Sequence, residues 1–206
     1  MTQILLKGFY NERGVEVGVD EAGRGALAGP VTVAACIMPH GFQHPLIKDS
    51  KILSEGNRAK ARQIVLDNAI AWAVVHIPVE KIEEINILNA TMLGMQQALQ
   101  ETHKKVNFDF ILIDGDQFHG FNGIPFVTVV GGDNKYTSIA AASILAKTFR
   151  DDWMKEHSEG NEAYGWGSNK GYGTKQHRDA IEQIGPSEHH RPSFISHMLT
   201  KTASLF

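Results

Sequence analysis

Cysteine is almost missing: Cys36 is the only one in 206 residues. An internal disulfide framework and Cys-based zinc sites are therefore excluded, and Cys36, inside the apolar stretch 31–38, reads as a small core hydrophobe. No apolar run is long enough to span a bilayer, and the opening Met-Thr-Gln-Ile-Leu-Leu-Lys is too short to provide the apolar core and cleavage site of an export signal. The expectation is a cytoplasmic protein. A basic excess is also missing, since the formal net charge is -3. That argues against a general nucleic-acid coat protein, which neutralises phosphates with surplus cations. It leaves room for an enzyme on nucleic acid whose acids gather at one site while local basic patches hold the backbone. Low-complexity tracts and internal repeats are absent as well.

What is present is an ordinary globular composition, 42% hydrophobic and 21% charged, of a length suited to one domain over residues 1–206. The reading divides it into a core at about 12–157 and a helical part at about 158–206. Residues 15–20 alternate as a strand, and 30–37 form a second, β-branched strand. Ser54 offers an N-cap for a helix to about residue 71, with Ala61, Val65, Ala69 and Trp72 near helical spacing. A third strand is predicted at 74–79. The spacing of Leu88, Met92, Met95 and Leu99 describes one buried helix face and carries no chemistry. Strands follow at 108–114 and 125–130. Then comes the strongest helix, with Ile139, Ala142, Ala146, Phe149 and Trp153 at intervals of three and four and Thr137 or Ser138 near its start. Short helices are predicted at 174–183 and 192–199. The class is α/β, a mixed sheet flanked by helices with a small helical C-terminal part.

Three acids, Asp20, Asp114 and Asp133, end or follow apolar stretches that read as strands, each with a glycine within two residues before or after it. One such Asp caps a turn as readily as it binds anything. Three together, converging at strand ends, are costly as bare like charges and ask for a cation; oxygen ligands favour Mg²⁺ or Mn²⁺. Strict alternation sends Glu21 away from Asp20, so the strand is expected to end there. Gly23-Arg-Gly25-Ala-Leu-Ala28 formally matches a dinucleotide fingerprint. The following Pro30 and β-branched run argue for a strand rather than the helix that motif requires, and Asp20 and Glu21 would repel phosphates.

A second surface is the acid-free segment 163–178, with Lys170, Lys175 and Arg178 among Tyr164, Trp166 and Tyr172. Its composition suits a nucleic-acid backbone, although taken alone a flexible surface loop with its aromatics tucked into the core is the safer reading. Ser143, Lys147 and Arg150 form a stripe on the strongest helix, either a phosphate track or a solvated face. The pair His189-His190 and His197 lack the helical pairing of zinc motifs and read as surface or core-satisfied residues.

Taken in order, Gly18-Val-Asp-Glu-Ala-Gly-Arg-Gly25 with Gly29-Pro30, Asp49-Ser-Lys51 with Leu53-Ser54, Ile113-Asp-Gly115, Gly132-Asp133, Ile139-Ala-Ala-Ala-Ser-Ile-Leu-Ala-Lys147 and Lys170-Gly-Tyr-Gly-Thr174 resemble the ribonuclease HII family. The likeness spans about residues 16–194. It implies a ribonuclease H-like fold and a catalytic, metal-binding set of Asp20, Glu21, Asp114 and Asp133 holding two ions, Mg²⁺ or Mn²⁺. It implies that Gly23, Arg24 and Gly25 read the ribose 2′-hydroxyl, that Tyr172 stacks on the neighbouring deoxyribose, and that Lys51, Ser143, Lys147 and Lys170 contact substrate. The implied activity is two-metal hydrolysis of RNA in RNA–DNA hybrids and 5′ to single ribonucleotides in duplex DNA, leaving 5′-phosphate and 3′-hydroxyl ends, as in ribonucleotide repair and primer removal. A monomer is expected. Gly131, Ile52 and Asn169 stand where the family more often has lysine, lysine and histidine; none removes a carboxylate, and the first two bear on phosphate affinity rather than chemistry. The sister type, ribonuclease HIII, is disfavoured by the Gly-Arg-Gly triplet and the missing N-terminal extension. A silent binding module is disfavoured by the intact acids. The ending Thr202-Ala-Ser-Leu-Phe206 resembles peptides that dock on bacterial sliding clamps, so Leu205 and Phe206 are a candidate clamp contact.

Overall fold

The computed structural model describes residues 5–203, and side chains to residue 199; the clamp-like Leu205-Phe206 lies outside the described residues. The alternating stretches form one mixed sheet. Strand β1 (Glu16–Ala22) pairs antiparallel with β2 (Val31–Ile37), and β2 antiparallel with β3 (Ala71–Ile77). On its other side β1 runs parallel to β4 (Phe110–Asp114), which runs parallel to β5 (Phe126–Val129). The order is β3-β2-β1-β4-β5. The three parallel strands thus end at the same edge, where open α/β sheets place their sites.

Helix α1 (Glu55–Asn68) is capped by the Ser54 hydroxyl, as expected. It stops at Asn68, so the third strand begins three residues before the predicted start. Ala71 and Trp72 pair with Ile37 and Cys36, and Trp72 reaches the core from a strand, tilted against Phe149 at 5.6 Å.

Two apolar faces hold the sheet. Below it, α2 (Val79–His103) packs Met92, Met95 and Leu99 on Val17, Val19, Ile111 and Ile113. Asn86, at φ 65 and ψ 165, breaks this helix, and Leu88 just beyond the break is 37% exposed, leaving the predicted stripe. Above it, α1 and α3 (Thr137–Glu156) pack Ala61, Val65, Ala140, Ile144 and Leu145 on Ala34 and Cys36. The small residues of α3 permit a close approach: a Cβ at Gly18 would lie 2.2 Å from the Ser138 carbonyl carbon. Thr137 and Ser138 do not cap α3. Tyr136 holds the N-cap position, while their hydroxyls donate to the Lys7 carbonyl and the Glu16 carboxylate.

The C-terminal helices α4 (Trp166–Asn169), α5 (Lys175–Ile184) and α6 (Pro192–Ala203) enclose Tyr164, Trp166, Ile181 and Ile195. That cluster includes Ala28 and Met154, so this part shares its core with the β1–β2 connection and α3. Each large side chain buried there contributes roughly 1.5–3 kcal/mol. Among the described residues no helix is long and apolar enough to cross a membrane.

Candidate active site

The acids predicted at strand ends meet at the edge where β1, β4 and β5 finish. Asp20 and Glu21 come from β1, Asp114 is the last residue of β4, and Asp133 lies in a 3₁₀ turn, Gly132–Asn134, after β5. The Asp114 carboxylate accepts the Gly132 N–H at 2.7 Å, which ties the turn carrying Asp133 to β4. Strand β1 does not end at Glu21. It continues to Ala22, with Asp20 opposite Ala34 and Glu21 opposite Val33. Alternation therefore sets the two side chains on opposite faces, and both still border one cleft because it opens across the strand end.

This cleft has a volume of about 520 Å³ and is also bordered by Gly23, Arg24, Gly25, Ser50, Lys51, Arg58, Asp114, Ser143, Lys147 and Tyr172. Its electrostatics are those of crowded, desolvated acids. Burial, then the charges of Glu21 and Asp114, hold Asp20 well above the usual carboxylate range. Burial raises Glu21 against the pull of Arg24, and burial followed by Asp114 raises Asp133. Partial burial pulls the Lys51 ammonium down, but Asp133 and Asp20 outweigh it and leave it above its ordinary value.

Each carboxylate turns to a local donor: Asp20 to the Glu21 N–H, Glu21 to Arg24, Asp114 to Gly132 and Asp133 to the Asn134 amide. Among the described residues no three Asp, Glu, His or Cys side chains already converge to hold an ion. One oxygen lacks a hydrogen bond. Asp133 Oδ2 is buried without a hydrogen bond, and the Lys51 ammonium reaches only 3.6 Å from it. Asp133 adjoins Asp114, which borders the cleft together with Asp20 and Glu21, and a buried carboxylate oxygen without a hydrogen bond in such an oxygen-rich set fits a hard divalent cation.

The glycines after β1 have different causes. Gly23 has φ +93, and a Cβ there would lie 2.0 Å from Arg150 Nε. Gly25 has no such φ, and a Cβ there would meet nothing within 4 Å. Its lack of a side chain serves the space of the cleft rather than the chain's own packing.

Of the cationic residues singled out in the sequence, Arg24, Lys51 and Lys147 border the cleft. Lys147 pairs with Asp151 at 2.7 Å and lies 5.5 Å from the centre of the Tyr172 ring. Ser143 borders the cleft but is buried, its hydroxyl bonded to Ser50 and placed so that it favours the ionised form of Asp20. Lys170 turns away: it is 9% exposed and donates to the Gly167 carbonyl. Arg150 leaves the predicted stripe entirely. Completely buried, it donates to the carbonyls of Ala28, Pro30 and Lys170. Lys175 and Arg178 are exposed and engage Asp179 and the Gly173 carbonyl, whereas Tyr164 and Trp166 are core residues. Only Tyr172 of the segment 163–178 borders the cleft.

Sequence reasoning missed Arg58, which borders the cleft while donating to the Ser50 and Leu53 carbonyls. It also missed Arg191, buried and donating to the carbonyls of Arg24 and Gly29. Neither belongs to a charged pattern that separates it from solvated arginines.

The sheet order and the acids at the ends of its parallel strands define a ribonuclease H-like protein. Ribonuclease H2 from Pyrococcus horikoshii OT3 shares the fold, with a TM-score of 0.73 at 22% identity, covering 92% of this chain and 99% of that one. A family model described as Ribonuclease HII matches residues 17–197. The chain is 50% identical over 186 residues to Ribonuclease HII of Parabacteroides distasonis, covering 90% of this chain and 92% of that protein. It is 49% identical over 190 residues to Ribonuclease HII of Phocaeicola vulgatus, covering 92% and 94%. The chain belongs to the ribonuclease HII family, and is accordingly a ribonuclease H-type hydrolase of the RNA strand in RNA–DNA hybrids.

Proposed function

We propose that this enzyme, besides cutting hybrids, incises duplex DNA 5′ to a single embedded ribonucleotide and leaves 5′-phosphate and 3′-hydroxyl ends. The observation that carries this reading is the shared cleft: Asp20, Glu21 and Asp114 border the same space as Gly23–Gly25 and Tyr172, with Asp133 adjoining through Lys51. Two divalent ions, Mg²⁺ or Mn²⁺, held by the four carboxylates would activate the attacking water and stabilise the departing 3′ oxygen.

The chain's own groups supply recognition. The 2′-hydroxyl is what separates RNA from DNA, and the backbone at Gly25 can approach it because no side chain intervenes. The Tyr172 ring offers a face to a sugar. Lys51, Lys147 and Arg58 supply positive charge for phosphates around the acids. The inward-facing bonds of Lys170 and Arg150 make those residues supports for the loops rather than contacts.

The test is a Mg²⁺- or Mn²⁺-dependent nicking assay on duplex DNA with one ribonucleotide, beside a hybrid with a continuous RNA strand. Both substrates are cut if the reading holds. Cutting only within RNA runs favours the ribonuclease HIII type, and no cutting with either metal defeats the enzyme reading. In the same assay Asp114→Asn abolishes nicking while binding persists, because the amide oxygen keeps the Gly132 N–H bond; lost binding would make Asp114 a structural residue.

A further inference from the structure

We propose that His177 is a positioning residue for Tyr172: a chain of buried hydrogen bonds fixes the proton on His177 Nδ1, and that N–H holds the Tyr172 carbonyl. The proposal rests on the reading of Tyr172 as a substrate contact.

The chain begins at Ser187, whose backbone N–H donates to His190 Nδ1 at 2.9 Å. A backbone N–H is a donor only, so in the neutral ring His190 carries its proton on Nε2. His190 Nε2 lies 3.0 Å from His177 Nε2. His177 Nε2 must then accept, as its 3.1 Å bond from the Trp166 indole N–H, also donor-only, independently requires. A neutral His177 consequently carries its proton on Nδ1, which lies 3.0 Å from the Tyr172 carbonyl oxygen. Two separate donors thus dictate the tautomer that grips Tyr172. Both rings are buried, and burial lowers the pKa of each, keeping both neutral near pH 7.

The carbonyl needs this second anchor because the chain around it is irregular. Lys170 and Gly171 have φ +53 and +78. The Lys170 carbonyl accepts from Arg150, and the Gly171 carbonyl from the Leu27 N–H. The Tyr172 carbonyl accepts from the Thr174 N–H at 2.8 Å and from His177. Its ring borders the cleft with the Arg150 guanidinium 5.2 Å from its centre. Loosening the carbonyl frees the backbone from which that ring projects, and small displacements of a substrate-contacting group cost rate steeply.

Two substitutions separate the ends of the chain. In His177→Asn the amide nitrogen replaces Nδ1 and can still hold Tyr172; in His177→Gln the polar end lies where Nε2 was, satisfying Trp166 and His190 but releasing Tyr172. The assay is kcat/KM for nicking at a single ribonucleotide, alongside thermal melting and the cycle with Tyr172→Ala. The expected result is that His177→Gln lowers kcat/KM by about tenfold, that His177→Asn stays within about threefold, and that His177→Gln has no further effect when combined with Tyr172→Ala. Activities that follow melting temperature rather than the Asn and Gln ranking, or losses that multiply in the double variant, overturn the positioning role. A Tyr172→Ala enzyme as active as the parent overturns the substrate-contact reading itself, and the positioning role with it.

Discussion

Two regions of the molecule bury charge-bearing side chains in opposite ways. At the ends of β1, β4 and β5, acids are gathered with fewer donors than they can use, and Asp133 Oδ2 has none. Across the β1–β2 connection, Arg150 and Arg191 are just as buried, but each directs three hydrogen bonds to backbone carbonyls, those of Ala28, Pro30 and Lys170 for one and of Arg24 and Gly29 for the other. Burial lowers both guanidiniums, Arg191 to about 9, and their carbonyl partners are dipoles rather than counter-ions. The saturated region is a fastening, while the under-satisfied one is arranged for a group from outside the chain.

Exchanging one residue from each region breaks that contrast most sharply. Asp133→Asn removes a buried charge the fold does not need, so it leaves unfolding free energy unchanged or raised, while nicking falls by about 10³-fold or more. Arg191→Met does the reverse. It leaves buried carbonyls without donors and costs about 3 kcal/mol or more, read by denaturant unfolding. A stable Arg191→Met protein, or an Asp133→Asn protein that unfolds easily, would erase the distinction between the regions.

This contrast also marks how far the sequence was legible. Acids at strand ends could be found because an apolar stretch runs out into a charge with glycine close by in sequence, at Asp20, Asp114 and Asp133. The two fastening arginines could not. Their acceptors are carbonyls, which every residue possesses, and lie as far as 167 positions away, so no side-chain pattern announces them. Arg150 shared helical spacing with Lys147, but spacing reports direction around a helix and not depth. There the direction led into the folded-back 24–30 segment instead of solvent. Glu21 failed for a similar reason: alternation assigns faces correctly, yet a cleft lying across a strand end receives side chains from both.

Acidification sets the two ends of the molecule against each other. His190 is drawn down to about 4 from an ordinary 6.5 by burial and then by His177, so the unfolded chain takes up its proton first. Its contribution is complete above pH 6.5 and drains as pH falls toward 4, about 2 kcal/mol being lost between pH 7 and 5. The raised acids have the opposite sign. Asp20 and Asp133 bind protons more readily folded than unfolded, so protonation relieves the cleft as pH falls toward 3.8. Unfolding curves from pH 7 to 5 therefore show a loss that His190→Asn diminishes, while Asp133→Asn removes part of the opposing gain that accrues as pH falls toward 3.8. A His190→Asn protein with the parent's full pH dependence would assign the acid response elsewhere.

The smallest stability effect belongs to Gly25, the glycine proposed to meet the ribose. Gly23→Ala forces a Cβ into the Arg150 guanidinium at φ +93 and costs about 2 kcal/mol or more, the combined penalty of a left-handed backbone and displaced packing. Gly25→Ala, with no neighbour within 4 Å and no unusual φ, changes stability by about 0.5 kcal/mol at most. Its methyl group nevertheless enters the cleft where the backbone would approach the ribose, so nicking at a single ribonucleotide drops by about tenfold or more while the melting curve stays put. If both glycine variants lose activity only in proportion to their stability, the fastening region and the reading region are one, and the Gly23–Gly25 turn is merely a corner of the fold.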